Sequence, residues 1–82
     1  MNDEYQDILM HNLNYLRQKH GLSQRKMARI LGVGTGTVRK IEQSIWPHGL
    51  SASAVFNAAV HFGVRTYILL SIRLNDESAP PA

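Results

Sequence analysis

Apolar residues recur along this chain at helical spacing. Tyr5, Ile8, Leu9, Asn12, Leu13 and Leu16 fall on one side of a 3.6-residue helix. The pattern predicts a first helix over about 4–20, stopped by Gly21, which suits the left-handed conformation that follows many helices. Ser23 reads as an N-cap, with Leu22 before it and Met27 where a hydrophobic staple needs an apolar partner. A second helix therefore runs 24–31, closed by Gly32. It packs Met27, Ala28, Ile30 and Leu31 and turns Arg25, Lys26 and Arg29 the other way. A third helix, 35–45, gathers Val38, Ile41 and Ile45 on one arc and Thr35, Gly36, Arg39, Lys40 and Gln43 on the other. Trp46-Pro47 breaks the chain, Leu50-Ser51 repeats the staple and cap, and helices follow at 52–62 and 66–74. The expected fold is all-α: one compact five-helix domain over 1–74, with 75–82 as a flexible tail. No strand alternation, hairpin signal or internal repeat competes with it.

Composition sharpens this picture at three points. With 82 residues, 44% hydrophobic and 18% charged, the chain is globular and holds one small core. It contains no cysteine, which removes disulfides and thiolate metal sites. No apolar run approaches membrane-spanning length, and the opening MNDEYQD is acidic where a secretion signal would be basic and then apolar; a cytoplasmic protein is expected.

Charge is unevenly spread. The net charge is +3, yet the stretch from Arg17 to Glu42 holds seven Lys or Arg against one acid. Clustered cations point to a polyanion, the plain alternative being a solvated face.

Gly32, Gly34 and Gly36 alternate in Leu31-Gly-Val-Gly-Thr-Gly-Thr-Val38, which raises the question of a phosphate-cradling loop. A P-loop needs a strand before it and Gly-Lys-Ser/Thr at its end, and a dinucleotide site needs a strand and a third glycine at fixed spacing. A helix precedes Gly32 instead. The glycines therefore read as a turn between two helices, with Gly34 at the N-cap of the third and Gly36 removing bulk from its first turn.

A helix, a tight turn and a second helix with a basic outer face can place that second helix in a major groove. The stretch LRQKHGLSQRKMARILGVGTGTVRKIEQ resembles the helix-turn-helix of the lambda-repressor and Cro type, the Xre family. Leu16-Arg17, Gly21-Leu22-Ser23-Gln24, Ala28, Leu31-Gly32-Val33 and Ile41-Glu42 match its pattern in order and spacing, and the likeness continues to His61-Phe-Gly-Val64. The resemblance covers about residues 8–72.

It implies a sequence-specific regulator of transcription, a repressor from a bacterium, phage or mobile element, acting on double-stranded DNA without a cofactor. Gln24 matches a position that bonds phosphate and braces the recognition helix. Thr35, Gly36 and Lys40 match positions that reach base edges, flanked by Thr37 and Arg39; Ser23, Arg25, Gly34 and Gln43 complete the expected DNA-facing set. Arg17 and Glu42 match positions that commonly pair and tie helix 1 to helix 3. Relatives commonly carry Ser or Thr at the position of Gly34 and a long polar residue near Gly36. Many also follow helix 3 with a basic loop, where this chain has Ser44-Ile-Trp-Pro-His-Gly49.

Two further expectations concern partners. Family members bind two-fold operators as dimers, and Phe56, Val60, Tyr67, Ile68 and Ile72 are apolar residues beyond the need of one core, so a homodimer through helices 4 and 5 is expected. The contrasting class is a helix-turn-helix scaffold for a protein partner, with Trp46, Phe56 and helix 5 as its surface. Catalysis has little support: His11, His20, His48 and His61 show neither HExxH nor paired metal spacing, and no recognisable nucleophile pattern accompanies them. Neither an enzyme nor a metal site is expected.

Overall fold

In the computed structural model, residues 4–77 are described and form five helices: α1 (Glu4–Lys19), α2 (Gln24–Leu31), α3 (Thr35–Glu42), α4 (Ala52–Phe62) and α5 (Thr66–Ser71). Two of them start on side-chain caps. Ser23 Oγ accepts from the backbone N–H of Lys26 at 3.0 Å, and Ser51 Oγ from that of Ala54 at 3.4 Å.

Four helices end on one recurring bond, in which an apolar residue beyond the helix donates its N–H five residues back. Leu22 reaches Arg17 O, Val33 reaches Ala28 O, Ile45 reaches Lys40 O and Val64 reaches Ala59 O, all within 2.8–3.1 Å. This closure requires a left-handed residue just before the donor. Gly21, Gly32 and Gly63 supply it after α1, α2 and α4; after α3 it is Ser44, at φ 59°. The third helix therefore ends at Glu42 and not at 45, and Ile45 leaves the apolar arc to lie 50% exposed. No glycine marks that stop.

The core is built by α1 packing on α3 and α5, and α2 packing on α3 and α4. Leu9, Leu13, Met27, Leu31, Leu69 and Leu74 are its largest fully buried apolar side chains. Tyr5, expected on the packed side of α1, is exposed in the first turn. On α4 the buried set is Ala54, Ala58 and Ala59, while Val55 and Phe62 are only partly covered, so small residues form the buried face of this helix.

Among the described residues one polar side chain is sealed inside: Asn12, at 0% exposure. Its Nδ2 donates to Leu69 O at 2.9 Å and Ile72 O at 2.8 Å, and its Oδ1 accepts from Leu74 N–H at 2.8 Å. The amide thus supplies backbone partners that a continuing helix would have supplied itself. This corrects the fifth helix, expected to reach 74: it stops at Ser71, Ile72 turns extended, and Leu74 folds back into the core. His11 Nε2 donates to Leu74 O at 2.9 Å, and Asp76 accepts from Tyr15 Oη at 2.9 Å and Lys19 Nζ at 3.2 Å.

The strand-like segment after α5 is thereby strapped along α1 as far as Asp76. The tail expected to fray from 75 is held at its start, and 78–82 lie outside the described residues. The Tyr15 hydroxyl and then Lys19 hold the Asp76 carboxyl below the usual aspartate range. A carboxyl lowered in this way lends stability above its ordinary range and loses it as pH falls through the lowered value.

Two substitutions test this account. Asn12→Ala strands one N–H and two carbonyls in a dry setting and should cost about 3 kcal/mol in denaturant unfolding; a loss under about 1 kcal/mol would show that the strap has another anchor. Ser44→Gly removes the strain of a left-handed non-glycine residue. It should raise stability by about 1 kcal/mol, and a lowered melting midpoint would contradict it.

Candidate nucleic-acid interface

The turn between α2 and α3 sets their outer faces side by side. On α2, Arg25, Lys26 and Arg29 are exposed while Met27, Ala28 and Leu31 are buried. On α3, Gly36, Arg39 and Lys40 are exposed, Thr35 and Thr37 half-buried, and Val38 and Ile41 buried; Gln43 caps the helix and is exposed. The five cations of this surface have no ion-pair partner among the described residues, where the ion pairs are Arg17–Glu42 and Lys19–Asp76. Their field is free to act on an external polyanion.

Beneath that surface lies a small polar knot. Arg17 Nε faces Glu42 Oε2 at 2.5 Å, and Arg17 Nη1 donates to Leu22 O at 2.8 Å. Gln24 Nε2 donates to the other carboxylate oxygen at 3.0 Å. The facing Arg17 and Glu42 atoms are buried, and each is the other's partner; the side chains as wholes are 19% and 20% exposed. Gln24 stands first in α2, so its amide bridges the start of that helix to the end of α3. One amide hydrogen is spent on Glu42, leaving its second hydrogen and its oxygen for an outside group. Ser23 has less to offer, because its oxygen already accepts from Lys26 N–H.

The two glycines at the head of α3 differ from those that end helices. Gly34 has φ −84°, Gly36 is helical, and a Cβ on either would meet nothing within 4 Å. Gly34 also leaves α3 without a side-chain cap. The fold needs glycine at neither position, and Gly36 costs about 1 kcal/mol relative to alanine in a helix.

Sequence reasoning missed two links. The partner through which Gln24 braces α3 is one: the resemblance gave the brace, but nothing in the polar pattern of α2 pointed to Glu42. The other is Asn57 Nδ2 donating to Leu31 O at 3.1 Å, which fixes α4 against the last turn of α2. The helix 4 and 5 surface also differs in part from expectation. Phe56, Val60, Tyr67 and Ile72 are exposed, but Ile68 is partly buried against the core, as is Trp46, and the exposed large apolar side chain of that loop is Ile45.

Among the described residues no group of three His, Asp or Glu side chains is placed to hold a metal, and no helix is long and apolar enough to cross a membrane. A family model described as helix-turn-helix matches residues 13–69. Nothing matches among the curated proteins or the solved structures.

Glu42 is the test of the knot. Glu42→Ala leaves the Arg17 guanidinium and the Gln24 amide without their acceptor. The expected loss is about 2–3 kcal/mol, below that of a fully buried pair because a fifth of each charged side chain is exposed. An unchanged unfolding midpoint would show that the pair does not hold α3.

Proposed function

The chain belongs to the Cro/C1-type helix-turn-helix family of DNA-binding regulators, and from that premise we propose that it is a sequence-specific repressor that reads double-stranded DNA with α3 in the major groove. The observation that carries this reading is the pair Gly34 and Gly36. Gly36 costs helix stability, Gly34 forgoes a side-chain cap, neither position needs glycine for its backbone or packing, and both stand at the end of α3 that enters a groove first. Removing side-chain bulk there lets the backbone approach DNA closely, at the expense of readout through those two positions.

Roles then divide by reach. Arg39, Lys40 and Gln43 are the long exposed side chains of α3 and its cap, suited to base edges and adjacent phosphates, while Thr35 and Thr37 offer hydroxyls and methyls at short range. Arg25, Lys26 and Arg29 meet phosphates, replacing the basic loop that this chain lacks after α3. Gln24, held by Glu42, presents its remaining amide groups to a phosphate at the start of α2. Repression needs no more than occupancy of the operator.

The protein acts as a homodimer. α4 and α5 contain no Asp, Glu, Lys or Arg, yet they expose Phe56, Val60 and Tyr67, with Ile72 just beyond. An uncharged apolar face lets two copies of a cationic chain meet without like-charge repulsion. The same face supports a second reading, a scaffold that holds a different protein, and DNA titration separates the two.

In gel-shift titrations on duplexes selected from a random library, Lys40→Ala should reduce specific over random binding by about 1–3 kcal/mol. Arg25→Ala should weaken both alike and flatten the salt slope by about one unit. Gly36→Leu should stay folded, since its side chain meets open space, and should lose specific binding. If folded Lys40→Ala and Gly36→Leu both bind as the parent does, α3 is not the reading element and the scaffold reading replaces this one.

Light scattering tests the dimer. The parent should be dimeric at high micromolar concentration and Val60→Glu monomeric; a parent that stays monomeric with and without DNA refutes the interface.

A further inference from the structure

Behind α3, away from its outward arc, a polar cleft of about 410 Å³ opens between α1, the last turn of α3 and the segment after α5. Its size falls in the range of small-molecule sites. Buried Met10 and Ile41 supply apolar surface within it. The charged groups around it are Asp7 and His11 from α1, Glu42 from α3 and Arg73 beyond α5.

Two of these are spoken for. Both Glu42 oxygens are engaged by Arg17 and Gln24, and His11 Nε2 is bonded to Leu74 O. Asp7 and Arg73 are different: one carboxylate and one guanidinium line the same cleft, and neither has a hydrogen bond or ion pair among the described residues. The Ser44 hydroxyl is likewise free, and Asn14, whose Oδ1 accepts from Gln18, keeps its amide hydrogens for another partner.

We infer that this cleft binds a small zwitterion, a free α-amino acid with an apolar side chain. Its ammonium meets Asp7, its carboxylate meets Arg73 and the Ser44 hydroxyl, and its side chain lies on Met10 and Ile41. A guanidinium and a carboxylate that line one cleft without pairing are matched by a ligand that carries both opposite charges. A simple anion or cation would leave one of them unanswered.

The site also abuts the machinery of α3. Ile41, Glu42 and Ser44 are the last turn of that helix and its left-handed stop, so an occupant touches the residues that set where the helix ends and how it is held. Under the DNA-binding reading proposed above, occupancy changes DNA affinity, and DNA changes ligand affinity by the same factor.

The experiment uses the free protein first, so that it does not depend on DNA. Calorimetry and amide chemical shifts are recorded with L-alanine, L-valine and L-leucine, each also as its N-acetyl and its carboxamide form. Saturable binding is expected for the free amino acids, with shifts at Asn14, Ser44 and Arg73, and weakening of about tenfold or more when either end is blocked. Asp7→Asn and Arg73→Gln change exposed side chains and should keep the fold, each with a similar loss of binding. No saturable binding, or equal binding of the blocked forms, overturns the site. A fall in unfolding midpoint for Asp7→Asn and Arg73→Gln alike, without any ligand effect, overturns it in favour of a direct ion pair between them. Gel shifts with and without the best-binding amino acid then read the coupling; a bound ligand that leaves DNA affinity unchanged overturns the regulatory link alone.

Discussion

The carboxylate of Glu42 is the joint on which the geometry of the two outer helices depends. It receives Arg17 from α1 on one oxygen and Gln24 from the first residue of α2 on the other. Three helices are thus referred to one group at the end of α3. Apolar packing alone would leave α3 free to slide or rotate by a fraction of a turn over Val38 and Ile41, because dispersion contacts have little directional preference. Hydrogen bonds with fixed geometry remove that freedom. A paired charge of this kind contributes modestly to net stability but strongly to position, and position is what a helix must have if side chains four residues apart are to meet defined groups on DNA.

A second constraint acts about a turn and a half before Arg17 on α1, through Asn12. Its amide ends α5 by bonding the backbone that follows, and so returns Leu74 to the core and lays the next residues along α1. The strap closes one side of the cleft that α1 and α3 bound on the others. Two organised polar devices therefore lie within this small domain, one orienting α3 and the other shaping the segment beside its final turn. They share α1, whose Asn12 and Arg17 lie five residues apart and serve one device each.

Whether a feature could be seen in the sequence depended on how local its cause is. Helix starts at Ser23 and Ser51, and stops at Gly21, Gly32 and Gly63, are set by residues within one turn, and the pattern places them. The helical arcs that build the core were equally legible, because a buried face repeats at the helical period. The ends of α3 and α5 were not. Ser44 adopts a conformation that its residue type disfavours, and α5 is ended by an amide more than fifty residues away in the chain. The basic outer surface of α2 and α3 was legible as a charge pattern, whereas the Gln24–Glu42 bond beneath it arises only when α2 meets α3, and the cleft behind it only when α1, α3 and the strap come together.

The cost of the arrangement is concentrated at α3. Its first turn has glycine at the cap and again inside the helix, and its last turn runs into a strained serine followed by an apolar residue left half exposed. The other three closures of this type put their apolar residue, Leu22, Val33 or Val64, at least partly into the core. A helix of eight residues with weak ends at both termini could not persist alone, since short helices are marginal in water even with good residues. It exists because Val38 and Ile41 are buried beneath it and Glu42 is tied on two sides. Stability supplied from below leaves the outer face free of any structural duty, so its residues can follow the demands of a ligand in place of those of the fold.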